Sequence, residues 1–409
     1  VVKQKGNLIP MHDLNVACPG CGAPGMKAFY QVNNAPTNSV LLLNSQDEAL
    51  NFPRGTITLA VSPTSGFIAN VEFDPALTQY NARYEATQGY STTFNRFHQK
   101  LAQDLIDRFD LRHKTVIEIG CDKGDFITML CEMGPNTGIG FDPAYVPGRH
   151  PSEAADRLTF IADFYSEKYT DYHADFFACK MTLEHIPDTG DFMRTVRRAI
   201  GDREETIVFF QIPNAFYVLD DLAFWDVYYE HCSYFTKGSL AHLFRHTGFT
   251  VLDLWTDYDD QYLMIAARPT AVPDPHAPIP LGDDLDGVLT AVERFATAVP
   301  QKIVAWQEKI ADFRAQGKTI TLWGGGSKAV AFLTTLGLGV ADIPYVVDIN
   351  PHKAGTFLAG SGQEIVLPDY LPTNPPDVVI IMNPIYRAEI GRDLQAIGLT
   401  PTILTVEDI

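Results

Sequence analysis

From Phe94 onward the chain is built of short apolar runs, most ending in a turn and followed by apolar positions three and four residues apart. Phe94–Phe109 has the helical period, Thr115–Ile119 reads as a strand, Phe126–Met133 as a helix and Thr137–Phe141 as a second strand. Phe176–Cys179, Thr206–Phe210, Thr250–Leu254 and Tyr262–Ala267 extend the series. The runs are continuously apolar, so both faces of the sheet are covered, and the alternation with helices predicts an α/β fold with a mostly parallel sheet. Leu285–Gln316 predicts one long helix. Thr319–Trp323, three glycines and Lys328–Leu336 then repeat the strand–glycine–helix order, with further strands expected at Tyr345–Val347, Val378–Met382 and Thr402–Thr405. This is a second, smaller open α/β sheet. The first 75 residues differ: Asn, Pro, Gly and Thr separate short runs such as Ser39–Leu43 and Thr56–Val61, which predicts a small β-rich module.

Two breaks divide the chain. Arg268 to Pro280 holds five prolines in thirteen residues and reads as a semi-rigid linker. A softer break lies at Phe73-Asp74-Pro75. The expected organisation is therefore 1–75, 76–270 and 271–409. Charge narrows the partners: 31 Lys and Arg against 50 Asp and Glu give a net charge of −19, which repels nucleic acid and anionic membrane. No run reaches the roughly 18–20 apolar residues of a membrane span. Val1-Val2-Lys3-Gln4-Lys5 lacks the apolar core of a secretory signal, and Val1, not being a natural start, predicts residues ahead of it. Six cysteines are too few for a disulfide scaffold, so a reduced, cytoplasmic protein is expected.

The first glycine turn carries the chemistry. In Glu118-Ile119-Gly120-Cys121-Asp122-Lys123-Gly124-Asp125-Phe126, Gly120 lets a ligand approach the backbone and Gly124 permits close helix packing. The turn falls at the carboxyl edge of the sheet, where open α/β sheets bind ligands. Glu118 can accept from a cationic amine. Asp142, before Pro143 at the end of the second strand, suits the two hydroxyls of a ribose, and Asp163, before Phe164, suits an adenine amino group. This set resembles the class I S-adenosylmethionine-dependent methyltransferases, which have a Rossmann-like core. The resemblance implies S-adenosylmethionine as cofactor, with Lys180 and Met181 also touching it. Asp122 stands where the family has a small residue or glycine.

The densest aromatic stretch is Phe224-Trp225-Asp226-Val227-Tyr228-Tyr229-Glu230-His231-Cys232-Ser233-Tyr234-Phe235, placed at the same sheet edge. One imidazole among phenols and a carboxylate makes a semi-apolar pocket that can shift a histidine pKa and hold an enolate oxygen. Its Tyr-Tyr-Glu-His-x-x-Tyr-Phe pattern is similar to sugar C-methyltransferases acting on nucleotide-linked 4-keto-deoxysugars. Trp323-Gly324-Gly325-Gly326-Ser327-Lys328 and Asp348-Ile349-Asn350-Pro351-His352-Lys353 match the pattern of that family's C-terminal domain. The resemblance covers nearly the whole chain and implies His231 as general base, Tyr228 and Glu230 as its neighbours in the pocket, and either Tyr84 or Tyr90 closing over the site. It implies an enolate carbon attacking the sulfonium methyl, without a metal, in a monomer. His185, in Thr182-Leu183-Glu184-His185-Ile186-Pro187, reads as structural, orienting its loop. Ser327 and Lys328, after the three glycines, could cradle a phosphate as readily as mark a tight turn.

The family's N-terminal module holds zinc, and Cys18-Pro19-Gly20-Cys21 supplies half of such a site. Where a second Cys-x-x-Cys is expected the chain has Ser62-Pro63-Thr64-Ser65, and serine is a poor zinc ligand. Zinc is therefore doubtful, and His12 is the candidate to complete the set. Two rivals stand beside this reading: O-methylation of another small molecule, and a decayed binding protein.

Overall fold

The computed structural model describes residues 9–149, 151–272, 274 and 284–409. Most of the proline-rich segment and the first eight residues lie outside that set. The N-terminal part forms β1 (His12–Ala17), β2 (Pro24–Pro36), the short α1 (Gln46–Leu50), β3 (Arg54–Val61) and β4 (Ile68–Asn70). The middle part runs α2 (Thr92–Phe109), β5 (Thr115–Ile119), α3 (Asp125–Met133), β6 (Thr137–Phe141), β7 (Leu158–Ile161), β8 (Phe176–Lys180), α4 (Thr189–Ile200), β9 (Ile207–Pro213), α5 (Ala215–Asp220), β10 (Ser233–Tyr234), α6 (Lys237–His246), β11 (Phe249–Asp257) and β12 (Tyr262–Pro269). The C-terminal part is α7 (Leu285–Ala315), β13 (Ile320–Trp323), α8 (Ser327–Leu336), β14 (Tyr345–Val347), β15 (Glu364–Val366), β16 (Val378–Ile381), α9 (Arg387–Ala396) and β17 (Thr402–Thr405).

The middle sheet has the order β11-β12-β9-β8-β5-β6-β7. All its pairs are parallel except those of β12, which runs antiparallel to both β9 and β11. This is the expected α/β core, Rossmann-like. The strand order reverses at β5, so the loops after β5 and β8 diverge and open a crevice there. The C-terminal sheet, β15-β14-β13-β16-β17, is wholly parallel and repeats the scheme around β13.

Two features depart from the sequence pattern. Ser39–Leu43 forms no strand. Leu41 and Leu43 are buried by making single bridges, to Tyr84 and Phe357, so the run packs between parts of the molecule. The N-terminal sheet ends in β10, a strand from the middle part whose Ser233 and Tyr234 pair with Ala69 and Ile68. The loop that carries His231 is thereby tied to the N-terminal sheet two residues further on.

Helix α7 buries Val288, Val292, Phe295, Val299, Ile303, Trp306, Ile310 and Phe313, one stripe at helical spacing, and continues through Pro300. Trp306 meets Phe332 edge-on at 5.2 Å and donates its indole N–H to Val406 O at 3.3 Å. Trp306→Ala is expected to lower unfolding stability by about 3–5 kcal/mol, read by urea denaturation.

Candidate active site

A cavity of about 620 Å³ opens at the carboxyl ends of β5, β6, β8 and β9, faced across the gap by Gly324, Ser327 and Lys328 of the C-terminal part. At one end the turn after β5 is shaped by sterics. Gly120 has φ +72°, and a Cβ there would fall 1.9 Å from Thr182 Oγ1. Asp122 adopts the left-handed conformation at φ +47° and donates its N–H to Asp142 Oδ2 at 2.8 Å, while Asp142 Oδ1 accepts from Ala144 N at 2.7 Å. Asp142 therefore clasps both loops. Burial raises its pKa and pushes Asp122 up to about 7. Asp122 Oδ1 makes no hydrogen bond but lies 3.3 Å from Lys123 Nζ.

Glu118 lines the cavity yet turns Oε2 to Ile127 N at 2.9 Å, and burial pushes it up to about 7. The amine expected on Glu118 thus faces a carboxyl already engaged by the backbone of α3. Lys180 and Met181 follow β8. Lys180 Nζ sits 2.8 Å from His98 Nε2 and over the Phe126 ring, with its pKa lowered to about 8 by burial. Asp163 Oδ2 accepts from Tyr169 Oη at 2.6 Å and Lys168 Nζ at 3.0 Å. Phe164 beside it is 59% exposed and, like Pro143, borders the cavity. Gly124 is the exception among the expected cofactor residues. It is not on the cavity wall, and a Cβ there would strike Phe160 at 2.6 Å, so its glycine serves helix packing.

The aromatic loop forms the other wall. His231 and Tyr228 both face the cavity, with Tyr228 Oη 2.8 Å from His231 Nε2. Burial, then the nearby His185, hold His231 well below the usual imidazole range, so the ring is neutral near pH 7. His185 stands edge-on to it at 4.9 Å. His185 Nδ1 lies 3.0 Å from Tyr80 Oη and 3.1 Å from Glu230 O. A carbonyl only accepts, so Nδ1 carries the proton and Nε2 keeps its lone pair. Burial lowers this ring to about 4. His185 lines the same cavity as His231, and its contacts with Tyr80 and Glu230 O are the positioning contacts of a residue that orients its loop. Tyr80 lies outside the pair Tyr84 and Tyr90 that the sequence singles out, and no local pattern marks it.

Glu230 does not line the cavity, contrary to expectation. It is fully buried behind the wall, where its carboxylate accepts from Ser39 N at 2.9 Å and lies 2.8 Å from Ser39 Oγ. Ser39 Oγ is also 2.8 Å from Ser327 Oγ, so this one carboxylate joins all three parts of the chain. Of the two tyrosines, Tyr84 packs on Tyr80 at 5.1 Å, whereas Tyr90 is 37% exposed and neighbours His352. Both border the cavity. Sequence reasoning also passed over Glu184. It lines the cavity, is 1% exposed, and apart from its own backbone N–H neither carboxylate oxygen has a partner. Burial pushes it up to about 8.

The N-terminal knuckle brings together two thiols, Cys18 and Cys21, with His242 hydrogen-bonded to Cys21 and serine hydroxyls where a second pair of thiolates is expected, so zinc stays doubtful. Cys18 Sγ and Cys21 Sγ lie 3.7 Å and 3.4 Å from Ser65 Oγ, and Ser62 Oγ accepts from the N–H groups of Thr64 and Ser65. Hydrogen bonds hold the turn where four zinc donors would be required. His12 is elsewhere, its Nδ1 on Pro10 O. Hydrogen bonds, the Cys18 thiol's foremost, keep Cys21 far below the usual thiol range, whereas Cys18, Cys121, Cys131, Cys179 and Cys232 are all pushed up. Iodoacetamide at pH 6.5 is therefore expected to label Cys21 ahead of the other five, checked by peptide mass spectrometry.

Residues 94–254 match the family described as a methyltransferase domain, and residues 287–402 match that described as a C-methyltransferase C-terminal domain. The donor set fits S-adenosylmethionine: Asp142 and Asp163 as acceptors, apolar Phe126, Phe164 and Met181, and a glycine turn at the strand edge. The chain is an S-adenosylmethionine-dependent methyltransferase. It is similar to C-methyltransferase NovU of Streptomyces niveus, 26% identical over 304 residues, or 71% of this chain and 72% of NovU. Two solved structures are also similar. They are the N,N-8-amino-8-demethyl-D-riboflavin dimethyltransferase of Streptomyces davawensis (20% identity, TM-score 0.35, 43% of this chain and 56% of that one) and the 1,6-didemethyltoxoflavin-N1-methyltransferase of Burkholderia thailandensis (19%, 0.35, 44% and 82%).

Proposed function

We propose that the protein transfers a methyl group to the carbon next to a ketone on a nucleotide-linked deoxysugar, with His231 as the base. The observation that carries this reading is a neutral, buried imidazole facing the same cavity as the glycine turn, hydrogen-bonded to Tyr228. Bound S-adenosylmethionine supplies the electrophilic methyl. His231 takes the proton alpha to the ketone. Tyr228, Tyr80 and Tyr84 keep their phenolic protons, because burial raises all three, and so can donate to the developing enolate oxygen. Glu230 positions the wall through Ser39 and His185. The step as derived calls on no metal.

Support for the nucleotide comes from the opposite face. There the three glycines lead into α8, and Gly326 caps it without a side-chain hydrogen bond. Backbone N–H groups at a helix start suit a phosphate, and Lys328 and Lys353 border the same cavity. The reading carries with it a monomer working in the reducing cytoplasm, in keeping with six free cysteines. Among the described residues no helix is long and apolar enough to cross a membrane. The 1–75, 76–270 and 271–409 division is retained as part of this reading.

The test is product NMR with carbon-13-methyl cofactor and a nucleotide-linked 4-keto sugar: a methyl bonded to carbon is expected, and a methoxy signal refutes the reading. The pH profile is a second check. A base depressed below the ordinary ~6.5 of histidine stays unprotonated on the acid side, so kcat/KM is expected to hold level down through pH 6.5 and to fall only below it.

A further inference from the structure

We propose that Glu184, His185 and His231 form a binding site for one divalent transition-metal cation of the zinc or cobalt type on the cavity wall. Among the described residues these three are the one group of His, Cys, Asp or Glu side chains whose donor atoms all lie within 4.8 Å of one another. All three border the cavity, which leaves room for solvent to complete the coordination. Two imidazoles and one carboxylate, with open positions, suit a borderline cation and not a hard one such as magnesium.

Two further observations point to a ligand. Glu184 is 1% exposed with no partner for either oxygen beyond its own backbone N–H, a costly state for a buried carboxyl unless a proton or a cation meets it. His185 is held in the tautomer a metal needs, because Glu230 O takes the Nδ1 proton and leaves Nε2 bare. When the cation binds, Glu184 releases its proton to solvent, the metal–oxygen bond forms, and water leaves the metal. No electron moves. A cation held here also occupies a lone pair of His231, so the occupied site opposes proton transfer by that ring. The site rests on its own geometry, and its test reads binding alone, so it stands or falls separately from the transfer reaction.

The full chain carrying Cys18→Ser and Cys21→Ser, which removes the partly exposed Cys21 thiol and the buried Cys18 thiol beside it, is titrated with cobalt(II) by calorimetry and visible absorption. One equivalent is expected, without a sulfur-to-cobalt charge-transfer band, and Glu184→Gln is expected to weaken it by at least about 10-fold. Crystals soaked in zinc and measured at the zinc edge are expected to show an anomalous peak between the three side chains, a readout that needs no variant at the site. Absence of saturable binding, unchanged affinity in Glu184→Gln, or a peak only elsewhere overturns the proposal.

Discussion

His231→Asn is expected to lower turnover by about 10²–10⁴-fold, the range a positioned general base supplies, while the dissociation constant for S-adenosylhomocysteine stays within about twofold. Asparagine keeps the position polar but ends short of Tyr228, which lies 2.8 Å from His231 Nε2, and it cannot take up a proton. The two measurements separate because His231 has no hydrogen bond to the turn Gly120–Gly124, and its wall is tied instead to the N-terminal sheet through β10. Steady-state kinetics and calorimetry on one preparation decide it. Parallel loss of turnover and cofactor affinity would make His231 a packing residue.

Asp142→Ala carries the second large effect, on the cofactor. Its carboxylate accepts from Asp122 N at 2.8 Å and Ala144 N at 2.7 Å, so it holds both loops that frame the β5 turn. Hydrogen bonds to a charged acceptor contribute about 1.5–3 kcal/mol each. Losing this clasp together with the proposed acceptor for the ribose hydroxyls is expected to raise the dissociation constant for S-adenosylhomocysteine by roughly 10²-fold or more. At saturating cofactor, kcat is expected to stay within about fivefold, since no proton moves through Asp142. An unchanged dissociation constant would remove Asp142 from the cofactor site.

Local period and turn chemistry made much of this legible. Thr115–Ile119, Thr137–Phe141, Tyr345–Val347 and Thr402–Thr405 are strands over the residues read from the pattern. The pairing of Cys18 and Cys21 with the Ser62–Ser65 turn was also readable, and Ser65 Oγ does lie against both sulfurs. What failed was orientation. A motif places Glu230 and His231 side by side, but consecutive side chains leave the backbone in different directions, and only His231 faces the cavity. Glu230 turns back to Ser39, a residue 191 positions earlier, which no local pattern announces. Tyr80 and Glu184 were missed for the same reason: each acquires its meaning from a histidine brought near by the fold. Ser39–Leu43 misled because an apolar run records burial, and here burial is achieved by single bridges instead of a strand.

The central claim, proton removal by His231 from carbon next to a ketone, is tested most directly without methyl transfer. A nucleotide-linked 4-keto sugar is incubated with enzyme in deuterium oxide, with S-adenosylhomocysteine filling the cofactor site, and the recovered sugar is weighed by mass spectrometry. The account predicts deuterium at the alpha carbon with the native enzyme and none above background with His231→Asn. Equal exchange by both proteins would contradict it.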